Sequence, residues 1–102
     1  MHSVITKSLN ELNKLCLDYK VTKLYTFGSV NTDKFDEQKS DLDIIVELPP
    51  MDPEKRGELL IDLWDRLEEL FQRKVDLLSK PKVENPYLQI GIDKTKKLIY
   101  EA

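Results

Sequence analysis

The stretch Asp41-Leu42-Asp43-Ile44-Ile45-Val46-Glu47-Leu48, halted by Pro49-Pro50, constrains this chain more than any other. Its alternation and β-branched residues predict a strand ending at the proline pair. Side chains two apart on a strand share a face, so Asp41 and Asp43 project together at the head of an otherwise apolar run. Two like charges roughly 6 to 7 Å apart and partly desolvated repel, and each carboxyl pKa is expected to rise unless a cation neutralises the pair. Asp76 repeats the pattern as the one acid in Val75-Asp76-Leu77-Leu78. If the two strands are neighbours, three carboxylates converge. Hard oxygen ligands in a cleft suit Mg²⁺, which keeps several waters and takes further ligands from substrate phosphates. A lone Asp-x-Asp also serves to cap a turn or to face water, so its surroundings decide.

The rest of the chain reads as one small mixed domain over residues 1–102. Ile5, Leu9, Leu12 and Cys16 recur at helical spacing from Ser3 to about Tyr19. Leu24-Tyr25-Thr26-Phe27 is a strand stopping at Gly28, and a polar connection leads to the Asp41 strand. Asp52-Pro53 opens a helix whose stripe of Leu59, Leu60, Leu63, Trp64, Leu67, Leu70 and Phe71 runs to about Gln72, with Trp64 as a core or interface anchor. A strand over residues 74–79, a short helix from Asn85-Pro86 to about Lys94, and a last strand Lys97-Leu98-Ile99-Tyr100 complete the order. That order predicts an α+β fold: a mixed sheet of about four strands with helices mainly on one face.

Composition removes several function classes. With one cysteine, Cys16, and one histidine, His2, neither an intrachain disulfide nor a Cys-rich zinc site is possible. Cys16 falls on the core stripe and His2 at a fraying terminus, so neither is given a role. The net charge of −3 argues against a broad nucleic-acid footprint, although residues 1–72 carry 9 basic and 15 acidic side chains against 7 and 4 beyond them. No apolar run approaches the roughly 20 residues of a membrane span, and Met1-His2-Ser3 opens no signal-peptide pattern. A cytoplasmic location is the expectation.

Ahead of the Asp-x-Asp strand stands Phe27-Gly28-Ser29, a strand running into a turn. Gly28 allows close backbone approach to a ligand, and Ser29 offers a hydroxyl and an N–H to phosphate. Strand, Gly28-Ser29, ten intervening residues, Ser40-Asp41-Leu42-Asp43, then an acid on a later strand: in this combination the chain resembles the minimal nucleotidyltransferases of the DNA polymerase beta-like superfamily. The Asn85-Pro86-Tyr87 and Leu98-Ile99-Tyr100-Glu101 segments are also similar to short bacterial members.

The resemblance implies that Gly28, Ser29, Lys34 and Ser40 hold the nucleotide, and that Asp41, Asp43 and Asp76 are the catalytic acids binding two Mg²⁺. It implies AMP transfer from ATP, or another NTP, to a hydroxyl, with Asp76 taking or orienting its proton. Short members resemble antitoxins paired with HEPN-domain RNases encoded nearby, some of which are adenylylated on tyrosine. That implies a HEPN-type partner and either homo- or hetero-oligomers. Two alternatives stay open: an antitoxin that neutralises its partner by binding alone, and a small-molecule nucleotidyltransferase like the aminoglycoside-modifying relatives. One departure stands out. Many members follow Gly-Ser with a small residue and Arg-Gly, whereas this chain reads Val30-Asn31-Thr32-Asp33-Lys34, leaving Lys34 as the cation of the segment.

Overall fold

In the computed structural model, residues 3–32, 41–79 and 94–102 are described. The first helical stretch is two helices, α1 (Ser3–Thr6) and α2 (Leu9–Asp18). The expected continuous helix breaks because Ser8 N–H bonds back only three residues, to the Ile5 carbonyl at 3.1 Å, while the Ser8 carbonyl starts the next helix by accepting from Leu12 N–H at 2.8 Å. Thr6 and Ser8 are weak helix formers, so the junction falls where propensity is lowest. The stripe survives the break, with Ile5, Leu12 and Cys16 all buried.

Strand β1 (Lys23–Phe27) runs into a 3-10 turn over Gly28–Asn31, and β2 spans Leu42–Glu47. Helix α3 covers Pro53–Phe71 with proline in its first turn, and Gln72 ends it in the left-handed region at φ 53°. Strands β3 (Val75–Ser79) and β4 (Lys97–Glu101) follow. The expected strand bounds hold to within a residue. Of the short helix expected before β4, only Lys94 and Thr95, which are helical, fall within the described residues.

The four strands form one sheet in the order β3-β2-β1-β4. β1 pairs antiparallel with both β2 and β4, whereas β2 and β3 are parallel. A parallel pair needs a long crossover, and α3 supplies it. Its buried Leu63, Leu67 and Phe71 meet Leu24, Leu42, Ile44, Val46, Val75 and Leu77 of the sheet and Ile5, Leu12 and Cys16 of α1 and α2 in one core cluster. The described helices therefore pack on one face, as expected of this α+β order. Burial pushes the Cys16 thiol up to about 12, consistent with an inert core residue.

Of the two expectations for Trp64, the core one does not hold: it is 39% exposed, and its indole N–H donates to the Val75 carbonyl at 2.6 Å. Glu68 accepts the Val75 N–H at 3.0 Å, and Arg56 donates to Ser79 Oγ at 2.6 Å. Helix α3 thus occupies backbone groups at the start of the edge strand β3 that would otherwise be open for pairing. No described helix is long and apolar enough to cross a membrane.

Candidate active site

Alternation along the strands decides which side chains reach the face away from the core. On β2, Leu42, Ile44 and Val46 are fully buried against the helices, which sends Asp43 and Ile45 to the other face. There Ile45 and Phe27 form a second small cluster with Tyr25 and Leu78. Asp76 follows the same rule on β3, between buried Val75 and Leu77. In the parallel register Asp43 stands opposite Asp76, and in the antiparallel register it stands opposite Phe27. Asp43 is therefore flanked by a second acid on one side and by the residue before Gly28 on the other.

Asp41 lies just ahead of β2 and is exposed. It still acts on Asp43, whose carboxyl is pushed up to about 6 by burial, by the charges of Asp76 and Asp41, and by a hydrogen bond with Asp76. The expected convergence is thus a close pair, Asp43 and Asp76, with Asp41 adding its field from the strand head. Among the described residues no three His, Cys, Asp or Glu side chains are gathered tightly enough to hold a metal by themselves. A repelling carboxylate pair fits a hard cation that completes its shell with water and phosphate oxygens.

Gly28 is fixed by its surroundings. Its φ of +73° lies where side chains are strained, and a Cβ built there would fall 2.5 Å from Asp43 Oδ2. The turn thus packs directly on the Asp43 carboxylate, the nearer member of the pair. Ser29 follows Gly28 in the turn, and its carbonyl accepts from Thr32 N–H at 3.0 Å and from Thr32 Oγ1 at 2.9 Å. Lys34 and Ser40, the other two expected nucleotide ligands, lie outside the described residues.

Sequence reasoning gave no role to the residues that hold this turn. Asn31 Nδ2 donates to the Thr26 carbonyl at 3.0 Å, to Thr26 Oγ1 at 3.1 Å and to the Thr95 carbonyl at 2.7 Å. Thr95 Oγ1 in turn accepts the Gly28 N–H at 2.8 Å. Thr26, fully buried in an apolar strand, was the signal in the sequence: a buried hydroxyl needs a partner, and Asn31 is that partner.

The nucleotidyltransferase domain model matches residues 5–99. The chain belongs to the nucleotidyltransferase domain family. A relative from Methanocaldococcus jannaschii named "Putative protein adenylyltransferase MJ1379" is 35% identical over 99 residues, 96% of this chain and 95% of its own. Among solved structures, this nucleotidyltransferase domain is similar to a chain in the Shewanella oneidensis complex of a tri-AMPylated HEPN toxin with an MNT antitoxin. That match has a TM-score of 0.57 and 25% identity over 95% of this chain and 72% of the other. A structure named "putative minimal nucleotidyltransferase" gives a TM-score of 0.63 at 21% identity, covering 95% of both chains, and bears on the fold alone. The family and α+β architecture expected from the Gly28-Ser29 and Asp41-Leu42-Asp43 segments are thus established.

Proposed function

We propose that this nucleotidyltransferase domain moves AMP from ATP to a hydroxyl, a tyrosine of a HEPN-type partner protein, and so acts as the antitoxin of a pair. The observation that carries the chemistry is the placement of the Gly28–Asn31 turn against the Asp43–Asp76 pair. In this reading Asp43 and Asp76, assisted by Asp41, hold divalent cations, Mg²⁺ by preference for oxygen ligands. A cation held there would supply positive charge to the phosphoryl transfer.

The chain's own residues do the remainder. Gly28 admits the phosphates close to the carboxylates because it carries no side chain, and Ser29 offers its hydroxyl and N–H to them, joined by Lys34 and Ser40. Asp76, the exposed member of the pair, orients the acceptor hydroxyl and takes its proton as the new oxygen–phosphorus bond forms and the bond to pyrophosphate breaks. A protein as acceptor is supported by the M. jannaschii relative, named a putative protein adenylyltransferase, and by the tri-AMPylated toxin of the S. oneidensis complex. The net charge of −3 disfavours nucleic acid in that role.

Mass spectrometry of a HEPN protein encoded beside this chain, incubated with it, ATP and Mg²⁺, tests the proposal. AMP-sized additions on tyrosine are expected, and an Asp43→Asn, Asp76→Asn variant should produce none. Transfer to RNA or to a small molecule with the HEPN protein unmodified would overturn it.

A further inference from the structure

The Gly28–Asn31 turn places no cation of its own against the phosphates among the described residues, since Val30, Asn31 and Thr32 are neutral. Near it, Asp41, Asp43 and Asp76 add only negative charge. A polyphosphate beside three carboxylates gains from a further positive side chain that reaches the turn from another part of the fold.

The segment before β4 supplies one. Thr95 is pinned to the turn at both of its ends, its hydroxyl by Gly28 N–H at 2.8 Å and its carbonyl by Asn31 Nδ2 at 2.7 Å. The next residue, Lys96, has its ammonium 4.8 Å from the centroid of the Tyr25 ring. Tyr25 belongs to the small cluster on the face away from the core, with Phe27 and Ile45. It precedes Phe27, the register partner of Asp43, by two residues, roughly 7 Å along β1. Lys96 is exposed, and no carboxylate among the described residues pairs with it. Its stacking on Tyr25 is a weak hold that a phosphate would outcompete. Lys97 differs: it stands opposite Thr26, on the core side of β1.

We infer that Lys96, held in place by the Thr95 clamp on the Gly28–Asn31 turn, is a phosphate-binding cation of this site in addition to Lys34, in space where the turn itself carries no arginine. This rests on reading the turn and the Asp43–Asp76 pair as a nucleotide site.

Isothermal titration of the full chain with ATP, AMP and inorganic tripolyphosphate, each with Mg²⁺, separates the two. Lys96→Gln should weaken ATP and tripolyphosphate about tenfold or more while changing AMP less than about twofold, because the lost contact is to the outer phosphates. Lys96→Arg should restore binding, and Lys97→Gln should bind as the unaltered chain does. The circular dichroism and melting temperature of each variant verify folding. If the unaltered chain binds ATP and Lys96→Gln binds it equally well, or if Lys97→Gln loses as much, the assignment of Lys96 fails and the nucleotide site stands. If the unaltered chain binds neither ATP nor tripolyphosphate, the site reading fails and Lys96 with it.

Discussion

Asp43 and Asp76 stand opposite one another on parallel strands β2 and β3, in a register that gives neither acid a basic neighbour on the strands. Burial and the facing charge hold the Asp43 carboxyl up to about 6, against 3.8 for an ordinary aspartate. The folded state therefore binds a proton more tightly than the unfolded chain. The stability contributed by this group is complete below the unfolded value and is lost as pH rises through about 6. Because Asp43 is only half-buried, solvent screening reduces the effect to about 1 kcal/mol. In metal-free buffer, Asp43→Asn should be about 1 kcal/mol more stable than the unaltered chain at pH 7.5 and close to it at pH 4 in urea denaturation. A loss above about 2 kcal/mol at pH 7.5 would mean that Asp43 is a structural hydrogen-bonding group instead.

The same repulsion makes ligand binding visible as stability. A cation and nucleotide that bind only the folded chain at ten times their Kd add about 1.4 kcal/mol, which for a domain of this size raises Tm by roughly 6 to 11 °C. Differential scanning fluorimetry with Mg²⁺ and ATP together should show that rise, and Asp43→Asn with Asp76→Asn should abolish it. An unchanged Tm at millimolar metal and nucleotide would refute the active-site reading.

Gly28 and Asp43 are coupled sterically. Gly28→Ala places a methyl group 2.5 Å from Asp43 Oδ2 at a φ of +73°, a position strained for any side chain. The expected cost is about 2 to 4 kcal/mol. Much of the clash, though not the backbone strain, disappears when the carboxylate is removed, so Gly28→Ala in an Asp43→Ala background should cost at least about 1 kcal/mol less. Strictly additive losses in a double-mutant cycle would show that the turn does not pack on Asp43.

What the sequence revealed and what it hid divide along contact range. The Asp-x-Asp spacing, the stop at Gly28 and the α3 stripe are local patterns, so the acid-bearing strands, the turn and the long helix were legible in the sequence, whereas the parallel pairing that sets Asp76 beside Asp43 was not. The break at Lys7-Ser8 was not, because the apolar stripe continues through it and only the weak propensities of Thr6 and Ser8 mark it. Trp64 fell on the stripe by period yet sits at its edge, because its N–H is drawn to the Val75 carbonyl. The Thr95 clamp was beyond reach, since Gly28 and Thr95 are 67 residues apart and meet only because β4 joins β1 on the side opposite β2.

That clamp gives the last prediction. Among the described residues, Asn31 is the side chain that links β1, the turn and the segment before β4, through its bonds to Thr26 and to the Thr95 carbonyl. Removing it with Asn31→Ala leaves the fully buried Thr26 hydroxyl without this donor and takes one bond from the Thr95 carbonyl. The expected loss of stability is about 1 to 3 kcal/mol, the cost of unsatisfied buried polar groups. Because Thr95 then loses the Asn31 bond to its carbonyl, the amide of Gly28, which donates to Thr95 Oγ1, and those of β4 should exchange hydrogen faster, while the amides of α3 slow or quicken only with global stability. Hydrogen-exchange mass spectrometry distinguishes these. Exchange raised uniformly across the chain would reduce Asn31 to a general core contact, and unchanged stability with unchanged Gly28 exchange would dismiss the clamp altogether.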